Sequence, residues 1–463
     1  MSSSESGPAA VVGTPPRPQR DEVLELVIDS LAFGGAGVAR RAGYVIFVSG
    51  AVPGDRVRAR ITKRKRSHAE AMTLEVLDSG PERIDPVADH PGVAWQVIPY
   101  ERQLVHKHEQ VGEALRRIGG LRDFELEPIV AAEQPWRYRN KLEYSFGTGE
   151  AGELVCGFHE SGRWDRVVAL EDCLLASEAG NRARDEVLRW CREQGLGARG
   201  PRGGGGVLRN LVVREGRRTG ELQLRLVTTE ADLDFGSLAA ALPDASLWWT
   251  RTAALAETTA GGDTELVAGE SRLHERLGNL SLAISPEAFF QTNTEMAERL
   301  YGVAAEMAGL AGWERVYDLY SGIGTIGLTL APRAGELWGL EVIESAVADA
   351  IANARANEIV NARFFAGDVR LALRELVGEA GRPDVVVLDP PRSGLSAKVI
   401  RRVIEAAPRR IVYVSCNPTT LAPNAAQLVE AGWNLRRVRP VDMFPQTPHI
   451  ECVALLERGG TPA

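Results

Sequence analysis

A cysteine near the end of the sequence has surroundings that suit a nucleophile. Cys416 follows the apolar run Ile411-Val-Tyr-Val and stands before a helix whose start is limited by Pro418. The N-terminus of a helix lowers the pKa of a thiol from its free value of ~8.5, which favours the reactive thiolate. The alternative is a buried structural cysteine, a common situation for this residue type.

A carboxylate 35 residues later in the sequence has the character of a proton acceptor. Glu451 opens a segment, Cys452-Val-Ala-Leu-Leu, that is otherwise apolar and predicts a closing strand. An acid in that position is expected to face a site rather than the core. A salt-bridged glutamate at the strand end is the alternative. We interpret His449, two residues earlier, as structural or substrate-positioning.

A glycine-rich turn indicates a nucleoside cofactor. Gly322, Gly324 and Gly327 form a GxGxxG pattern between a predicted strand and a predicted helix, where glycine lets the backbone approach a ligand closely. Glu341 ends the next strand and is placed to accept hydrogen bonds from ribose hydroxyls. Neither feature separates NAD from S-adenosylmethionine, so an oxidoreductase stays open at this point.

An acid followed by two prolines distinguishes a methyltransferase from an NAD-dependent oxidoreductase. Asp389-Pro-Pro-Arg392 comes directly after the apolar run Val385-Val-Val-Leu, and the prolines fix a rigid loop at the carboxyl edge of a sheet. Such a turn is typical of methyltransferases, in which it faces the acceptor base, and dehydrogenases have no use for it. A surface proline turn with an incidental aspartate is the alternative.

The elements that must position these residues follow from the rhythm of the chain. From about residue 296, apolar runs alternate with helix-length segments, which predicts an α/β domain with a doubly wound, mostly parallel sheet. Residues 80 to about 295 mix strands and helices and predict an α+β domain. Its segment 199–206 contains four consecutive glycines, and we interpret it as a loop because no Lys-Ser/Thr follows.

The N-terminal part predicts a small antiparallel, OB-like β-barrel. Residues 22–79 alternate short β-rich runs with Gly, Pro and Asp. Between Arg56 and Arg66 the chain has seven basic side chains and no acid, and strand alternation would place Arg56, Arg58 and Arg60 on one face. RNA contact and a solvated strand edge protected by charge both explain this run.

The composition of the chain limits the classes of protein to which it can belong. A chain of 463 residues predicts about three domains, and 44% hydrophobic with 25% charged residues is typical of soluble globular proteins. The first twenty residues predict a disordered tail, without a signal peptide, and no segment is apolar enough to span a membrane, so we expect a cytoplasmic protein. The five cysteines are widely spaced and indicate neither a disulfide framework nor zinc. The net charge of -8 argues weakly against nucleic acid as a partner.

Four ordered motifs, DLYSGIGTIGLTLA, LDPPRSGL, VSCNPTTLA and DMFPQTPHIE, resemble the RNA (uracil-5-)-methyltransferases that act on ribosomal and transfer RNA. The N-terminal part resembles the TRAM barrel of that family, and Phe289-Phe-Gln-Thr-Asn293 resembles its opening catalytic segment. After the disordered tail that composition predicts at 1–20, the resemblance implies a TRAM domain at 21–79, a central α+β domain at 80–288 and a Rossmann-like catalytic domain at 289–463.

The same resemblance implies the roles of individual residues. Cys416 would be the nucleophile and Glu451 the base that removes a proton. Asp389 would lie nearest the target base, and Arg392 would be a further substrate-binding residue. The residues expected to line the S-adenosylmethionine site are Gln291, Tyr320, Thr325, Glu341, Asp368 and Asp389, with Thr325 standing where some relatives have Asn. RNA contacts are expected from the basic run, at Arg56, Arg58, Lys63 and Lys65.

The resemblance also predicts the partner of this protein, and the sequence departs from the family pattern in one feature. We expect a monomer whose partner is RNA, ribosomal rather than transfer RNA, because bacterial relatives that act on transfer RNA often lack the barrel. Many relatives carry a four-cysteine iron-sulfur site, whereas residues 80–100 here have no cysteine and only Cys173 matches a ligand. We therefore expect no cluster. An RNA-binding protein with a dead catalytic domain would have lost Cys416 or Glu451, and both are present.

Overall fold

The computed structural model describes residues 17–160, 162–200, 204–254, 258–259 and 261–459. Most of the predicted tail, 1–16, and the centre of the glycine-rich loop, 201–203, lie outside the described residues. The chain forms two compact units. The first runs to Val87 and includes Ala94–Arg102, and the second comprises Ala88–Val93 and the chain from Gln103 onward. The domain boundaries expected at 79/80 and 288/289 stay predictions.

The first unit is a six-stranded sheet that surrounds its own small core. The sheet order is β1-β5-β6-β4-β3-β2, and all neighbours are antiparallel except β4 and β6. These two run parallel because β5 lies between them in the chain and provides the crossover that parallel pairing needs. The strands are β1 Val23–Val27, β2 Ser30–Leu31, β3 Gly37–Arg41, β4 Tyr44–Ser49, β5 Arg56–Arg64 and β6 His68–Asp78.

The basic strand β5 alternates as predicted, but it is not an edge. Val57, Ala59 and Ile61 enter the core, and the arginines between them point outward. Because β5 pairs with β1 on one side and β6 on the other, the interpretation of this run as a solvated strand edge is wrong. The outward side chains instead make cross-strand ion pairs, such as the pair between Arg58 and Glu75.

The second unit contains a seven-stranded sheet with the order β10-β9-β8-β11-β12-β13-β14, which packs one face against α2. A separate hairpin, β15 and β16, leads to the catalytic region. The elements are α1 Tyr100–Glu113, extended by a π-helical turn over Ala114–Ile118, β7 Glu125–Leu126, β8 Lys141–Thr148, β9 Leu154–Glu160, β10 Arg163–Ala169, α2 Glu178–Glu193, β11 Leu208–Glu215, β12 Leu222–Thr228, α3 Gly236–Ala241, β13 Ala245–Arg251, β14 Asp263–Ala268, β15 Leu273–Leu277 and β16 Leu280–Ile284.

The last sheet confirms the predicted doubly wound architecture. Its order is β19-β18-β17-β20-β21-β23-β22-β7, and β17 to β21 are parallel. The closing strand β23 runs antiparallel to β21 and β22, because only a short loop joins it to β22. The elements are α4 Thr294–Ala308, β17 Arg315–Leu319, α5 Thr325–Leu330, β18 Glu336–Glu341, α6 Glu344–Ala356, β19 Ala362–Ala366, α7 Val369–Ala380, β20 Val385–Leu388, α8 Ala397–Ala406, β21 Arg410–Ser415, α9 Pro418–Glu430, β22 Trp433–Val441 and β23 Glu451–Arg458.

The strand order of this sheet determines where a site can form. From β17 the chain proceeds outward through β18 and β19, then returns to the other side of β17 with β20 and β21. A doubly wound sheet opens a crevice at the carboxyl ends of the strands where this reversal occurs. Among the described residues, no helix combines the length and the apolar character that crossing a membrane requires.

Candidate active site

The sheet brings the predicted nucleophile and the predicted base to one edge. Cys416 follows β21 directly, and Glu451 is the first residue of β23. The antiparallel ladder between these strands ends at the pair Ser415 and Cys452. Cys416 and Glu451 lie one position beyond this pair. Residues 35 positions apart in the sequence therefore lie at the same end of two adjacent strands.

Asp389 lies at the same edge, because it follows β20 and β20 runs parallel to β21. The loop that continues to Arg392 is fixed from the start of α9, where the Asn417 side-chain amide donates to the Arg392 carbonyl at 3.1 Å. Asn417 also caps α9 by accepting from the Thr419 backbone amide at 3.0 Å. One residue therefore holds both the acid-Pro-Pro loop and the turn that carries the thiol.

The environment of Glu451 suits a proton acceptor. Its side chain is only 3% exposed, and it makes no hydrogen bond to any residue that the structure describes. Burial raises the pKa of Glu451 well above its ordinary value, and Asp389 adds to the increase while Arg392 opposes it. Burial, reinforced by Asp318, also raises the pKa of Asp389 to about 7. A carboxylate with a raised pKa is a stronger base once it is ionised, which suits it to accept a proton at a later step.

The structure corrects the prediction that Cys416 is present as a thiolate. Cys416 does precede the first turn of α9, as predicted, and its side chain is partly exposed. Burial nevertheless raises the pKa of the Cys416 thiol to about 11, with further increases from Glu451 and Asp389. Arg392 lowers it only in part. Low polarity and two nearby carboxylates therefore outweigh the helix N-terminus, and the thiol is protonated near neutral pH when no substrate is bound.

The reactivity of this thiol is expected to follow the charges around it. Glu451→Gln removes a negative charge and should lower the pKa of Cys416, so alkylation by iodoacetamide at one mildly alkaline pH becomes faster. Arg392→Gln should have the opposite effect. Mass spectrometry of the modified peptide measures both rates. Glu457→Gln, a change at the far end of β23, is the control and should leave the rate unaltered. Equal rates in all variants would show that these charges do not act on Cys416.

The glycine-rich loop has the conformation that a close ligand needs. Gly324 has φ of +85°, and a Cβ there would lie 3.0 Å from the Phe364 ring. Tyr320 adopts φ of +70°, a strained value for a side chain of its size. The hydroxyl of Ser321 is buried and has no hydrogen-bond partner among the described residues. A polar atom left open beside a loop that only glycine can form fits a bound nucleoside cofactor.

The carboxylate of Glu341 is already engaged by the backbone. It accepts from the amides of Gly322 at 3.1 Å, Val342 at 2.7 Å and Ile343 at 3.0 Å. A carboxylate offers about four lone-pair directions, so about one remains for a ribose hydroxyl. Val342 and Ile343 are 63% and 56% exposed. They form an apolar surface next to Glu341, which a planar purine could cover.

Three further residues were predicted to line the cofactor site, and each has different neighbours in the structure. Asp368 caps α7 and pairs with Arg370, whose hydrogen bond lowers the pKa of this acid. Gln291 is buried, and its carbonyl accepts from Asn140 at 2.9 Å. Thr325 is buried, and its hydroxyl donates to that of Tyr301 at 3.2 Å. Direct contact of these residues with the cofactor stays a prediction.

Sequence reasoning missed two groups that support the loop. Asp318, at the end of β17, accepts from the Gly327 amide at 2.9 Å, and burial raises its pKa to about 7. On α6, Asn353 donates to the Ile323 carbonyl at 3.4 Å and accepts from the Ala283 amide at 2.8 Å, which connects the glycine-rich loop to β16. The spacing of Asp349, Asn353 and Asn357, four residues apart, was the available signal for a polar helix face.

The residues present do not fit an iron-sulfur cluster. Cys173 is buried, and its sulfur lies 3.4 Å from Nε2 of His90, also buried. In the part of the chain that the structure describes, no group of three or more His, Cys, Asp or Glu side chains could hold a metal ion. A cluster needs four thiolates or near equivalents, and one thiol with one imidazole does not supply them.

Comparison with known proteins identifies similar families for both units. A family model described as tRNA (uracil-5-)-methyltransferase matches residues 270–459, and a TRAM domain model matches residues 19–74. An uncharacterized RNA methyltransferase of Halalkalibacterium halodurans is 35% identical, covering 95% of this chain and 97% of its own. One of Bacteroides thetaiotaomicron is 37% identical, covering 92% and 100%.

A solved structure is similar along almost the whole chain. The tRNA (uracil-54, C5)-methyltransferase of Pyrococcus abyssi, in complex with S-adenosyl-L-homocysteine, has a TM-score of 0.77 and 27% sequence identity. The match covers 93% of this chain and 99% of that one.

Proposed function

The chain belongs to the RNA (uracil-5-)-methyltransferases, which use S-adenosylmethionine, and from this premise we propose that it methylates carbon 5 of one uridine in 23S ribosomal RNA. The observation that carries the proposal is the edge of the catalytic sheet. There a partly exposed thiol, Cys416, and a buried carboxylate, Glu451, lie at the same end of adjacent strands, with Asp389 at the same edge. The Glu451 side chain has no hydrogen bond to any residue that the structure describes.

The chemistry needs both residues, because carbon 5 of uracil is a poor nucleophile. The Cys416 thiol first loses its proton to solvent, and addition of the resulting thiolate to carbon 6 converts the ring to an enolate. Carbon 5 then bonds to the methyl group as the bond between that methyl group and the cofactor sulfur breaks. Glu451 takes the proton from carbon 5, and elimination releases the thiolate and the product. S-adenosylmethionine supplies the electrophilic methyl group. The target uridine must be unpaired or flipped out, since a stacked base hides carbon 6.

Asp389 has a place in the same sequence of steps. With a pKa of about 7, it is protonated in a large part of the enzyme at neutral pH. A neutral carboxyl can donate a hydrogen bond to the enolate oxygen, which stabilises the charge that thiolate addition creates. Arg392, the next charged residue of the loop, is exposed and is assigned to the RNA.

Transfer RNA is the second candidate substrate, because the Pyrococcus abyssi protein is a tRNA methyltransferase. The TRAM domain favours ribosomal RNA by association with the family's bacterial members. The experiment compares 5-methyluridine in ribosomal and transfer RNA from a deletion strain and from the same strain with the gene restored. Loss from one position of 23S RNA is expected. Loss of 5-methyluridine from transfer RNA alone would mean that transfer RNA is the substrate. If neither RNA loses 5-methyluridine, the proposed reaction is wrong.

The basic strand is proposed to contact phosphates. Its ion pairs with acids, such as Arg56 with Asp78 and Lys65 with Glu70, are exposed, and exposed pairs contribute little stability. They can therefore be exchanged for phosphate contacts at low cost.

Replacing Arg56, Arg58, Lys63 and Lys65 by Ser should weaken RNA binding and flatten its salt dependence. Each lost phosphate contact is expected to reduce the slope of log K against log salt by about 0.7 to 0.9. Filter binding at several salt concentrations measures the slope. Glu75→Gln, which frees Arg58, is the matched control and should not weaken binding. A quadruple variant with an unchanged slope would show that β5 does not touch RNA.

A further inference from the structure

The loop between β22 and β23 ends at Glu451, and its first five residues, 442–446, have no regular secondary structure. We call these residues the tether segment. Four of the five are buried. Glu451 makes no side-chain hydrogen bond within the described chain, so its position depends on packing and on the path of its backbone. On one side that backbone is fixed by the ladder of β23, and on the other it continues into the loop that begins with the tether segment.

Helix α1 holds both ends of the tether segment. The Lys107 ammonium donates to the Asp442 carboxylate at 2.6 Å and to the Phe444 carbonyl at 3.0 Å, and the side chains of Lys107 and Asp442 are fully buried. One turn earlier, Gln103 donates to the Gln446 side-chain oxygen at 2.8 Å and accepts from the Gln446 backbone amide at 2.9 Å. Positions four apart share a helix face, so one face of α1 makes all four contacts.

Two further contacts complete the restraint. The Tyr138 hydroxyl donates to the Pro445 carbonyl at 3.0 Å, and the Asn293 side-chain amide donates to the Met443 carbonyl at 3.1 Å. Every residue of the tether segment thus has a partner elsewhere in the chain. Gln446 has φ of +63°, a conformation that is unfavourable for this residue, and the paired bonds to Gln103 hold it there.

The stability of the fold does not by itself explain why the contacts between α1 and the tether segment are polar. Removing two charges from water costs free energy, and well-packed apolar side chains often replace a buried ion pair without loss. One oxygen of Asp442 also has no partner among the described residues. What the ion pair and the glutamine pair do provide is a single geometry, because hydrogen bonds fix direction and register where apolar packing does not.

We propose that Lys107 and Gln103 are positioning residues, which fix the tether segment so that Glu451 stands where it can take the proton from carbon 5. The proposal rests on the role of Glu451 in the proposed function. It predicts a defect confined to one step. Thiolate addition and methyl transfer precede proton removal, so they should proceed normally when the tether segment is loosened.

The test is the amount of methylated RNA that stays covalently attached through Cys416 during turnover. In Gln103→Leu and in the double variant Lys107→Met with Asp442→Leu, kcat should fall about 10- to 100-fold, since small misplacement of a catalytic group has effects of this size. A denaturation-resistant complex carrying labelled methyl should accumulate. The double variant replaces both charges, so it avoids leaving one buried charge unpaired. Glu109→Gln, an exposed change on α1, is the control.

The outcomes separate this proposal from the proposed function. Accumulation in the tether variants supports the inference. A fall in kcat without accumulation, or an unchanged kcat, overturns it, provided that Glu451→Gln does accumulate the complex. If Glu451→Gln accumulates none, the assignment of the base itself is wrong, and the inference is overturned with it. Thermal unfolding of each variant, expected to stay cooperative, shows whether the chain still folds.

Discussion

Glu451→Gln is expected to trap the RNA on the enzyme. Addition of Cys416 and methyl transfer do not need the base, but elimination requires carbon 5 to lose its proton first. The methylated ring should therefore remain bound through Cys416 after a single methyl transfer, and multiple turnover should cease. The complex should survive denaturing electrophoresis and carry label from methyl-labelled S-adenosylmethionine.

The glutamine keeps the size of the side chain, so the change removes basicity without opening a cavity. Glu457→Gln, on the same strand but paired with Arg410 at its far end, is the matched control and should turn over normally. Wild-type turnover in Glu451→Gln would mean that another residue removes the proton.

Cys416→Ala should lose both the complex and the product. Without the thiolate, carbon 5 is never activated, and the methylation rate is expected to fall by roughly 10⁴-fold or more, the scale seen when a nucleophile is removed elsewhere. Binding of cofactor and RNA should persist. The same gel assay and equilibrium binding measure the two quantities.

A neighbouring thiol provides the control for this variant. Cys452 is fully buried next to Glu451, and its sulfur lies 3.6 Å from the Ser415 carbonyl. Cys452→Ala should remain active, and in combination with Glu451→Gln it should still form the covalent complex. A complex that persists in Cys416→Ala would place the nucleophile at another residue.

The raised pKa of Cys416 also has a consequence for catalysis. Because the carboxylates of Glu451 and Asp389 both disfavour the thiolate, neutralising either one favours it. A protonated Asp389 would therefore assist twice, by easing thiolate formation and by donating to the enolate oxygen. Glu451 must be ionised at the later step, when it accepts the proton from carbon 5. The two acids thus have different tasks, although both have raised pKa values.

Much of the architecture could be predicted because it depends on local pattern. The alternation of apolar runs with helix-length segments predicted the doubly wound sheet, and β17 to β21 confirm it. The motif around Cys416 placed this residue between a strand and a helix, and the structure agrees. Period-2 alternation likewise placed Arg56, Arg58 and Arg60 on one face of a strand, and all three are exposed on β5. Backbone geometry within a few residues is enough for such features.

The tertiary structure decided everything that depends on distant neighbours. The pKa of Cys416 follows from carboxylates that other strands bring to it, against the prediction from its own helix. The Glu341 carboxylate accepts from the Gly322 amide, which lies 19 positions earlier in another loop. Lys107 meets Asp442 across 335 positions of sequence. Charge, burial and hydrogen-bond partners are properties of a place in space, and the sequence specifies that place only through the packing of the whole unit.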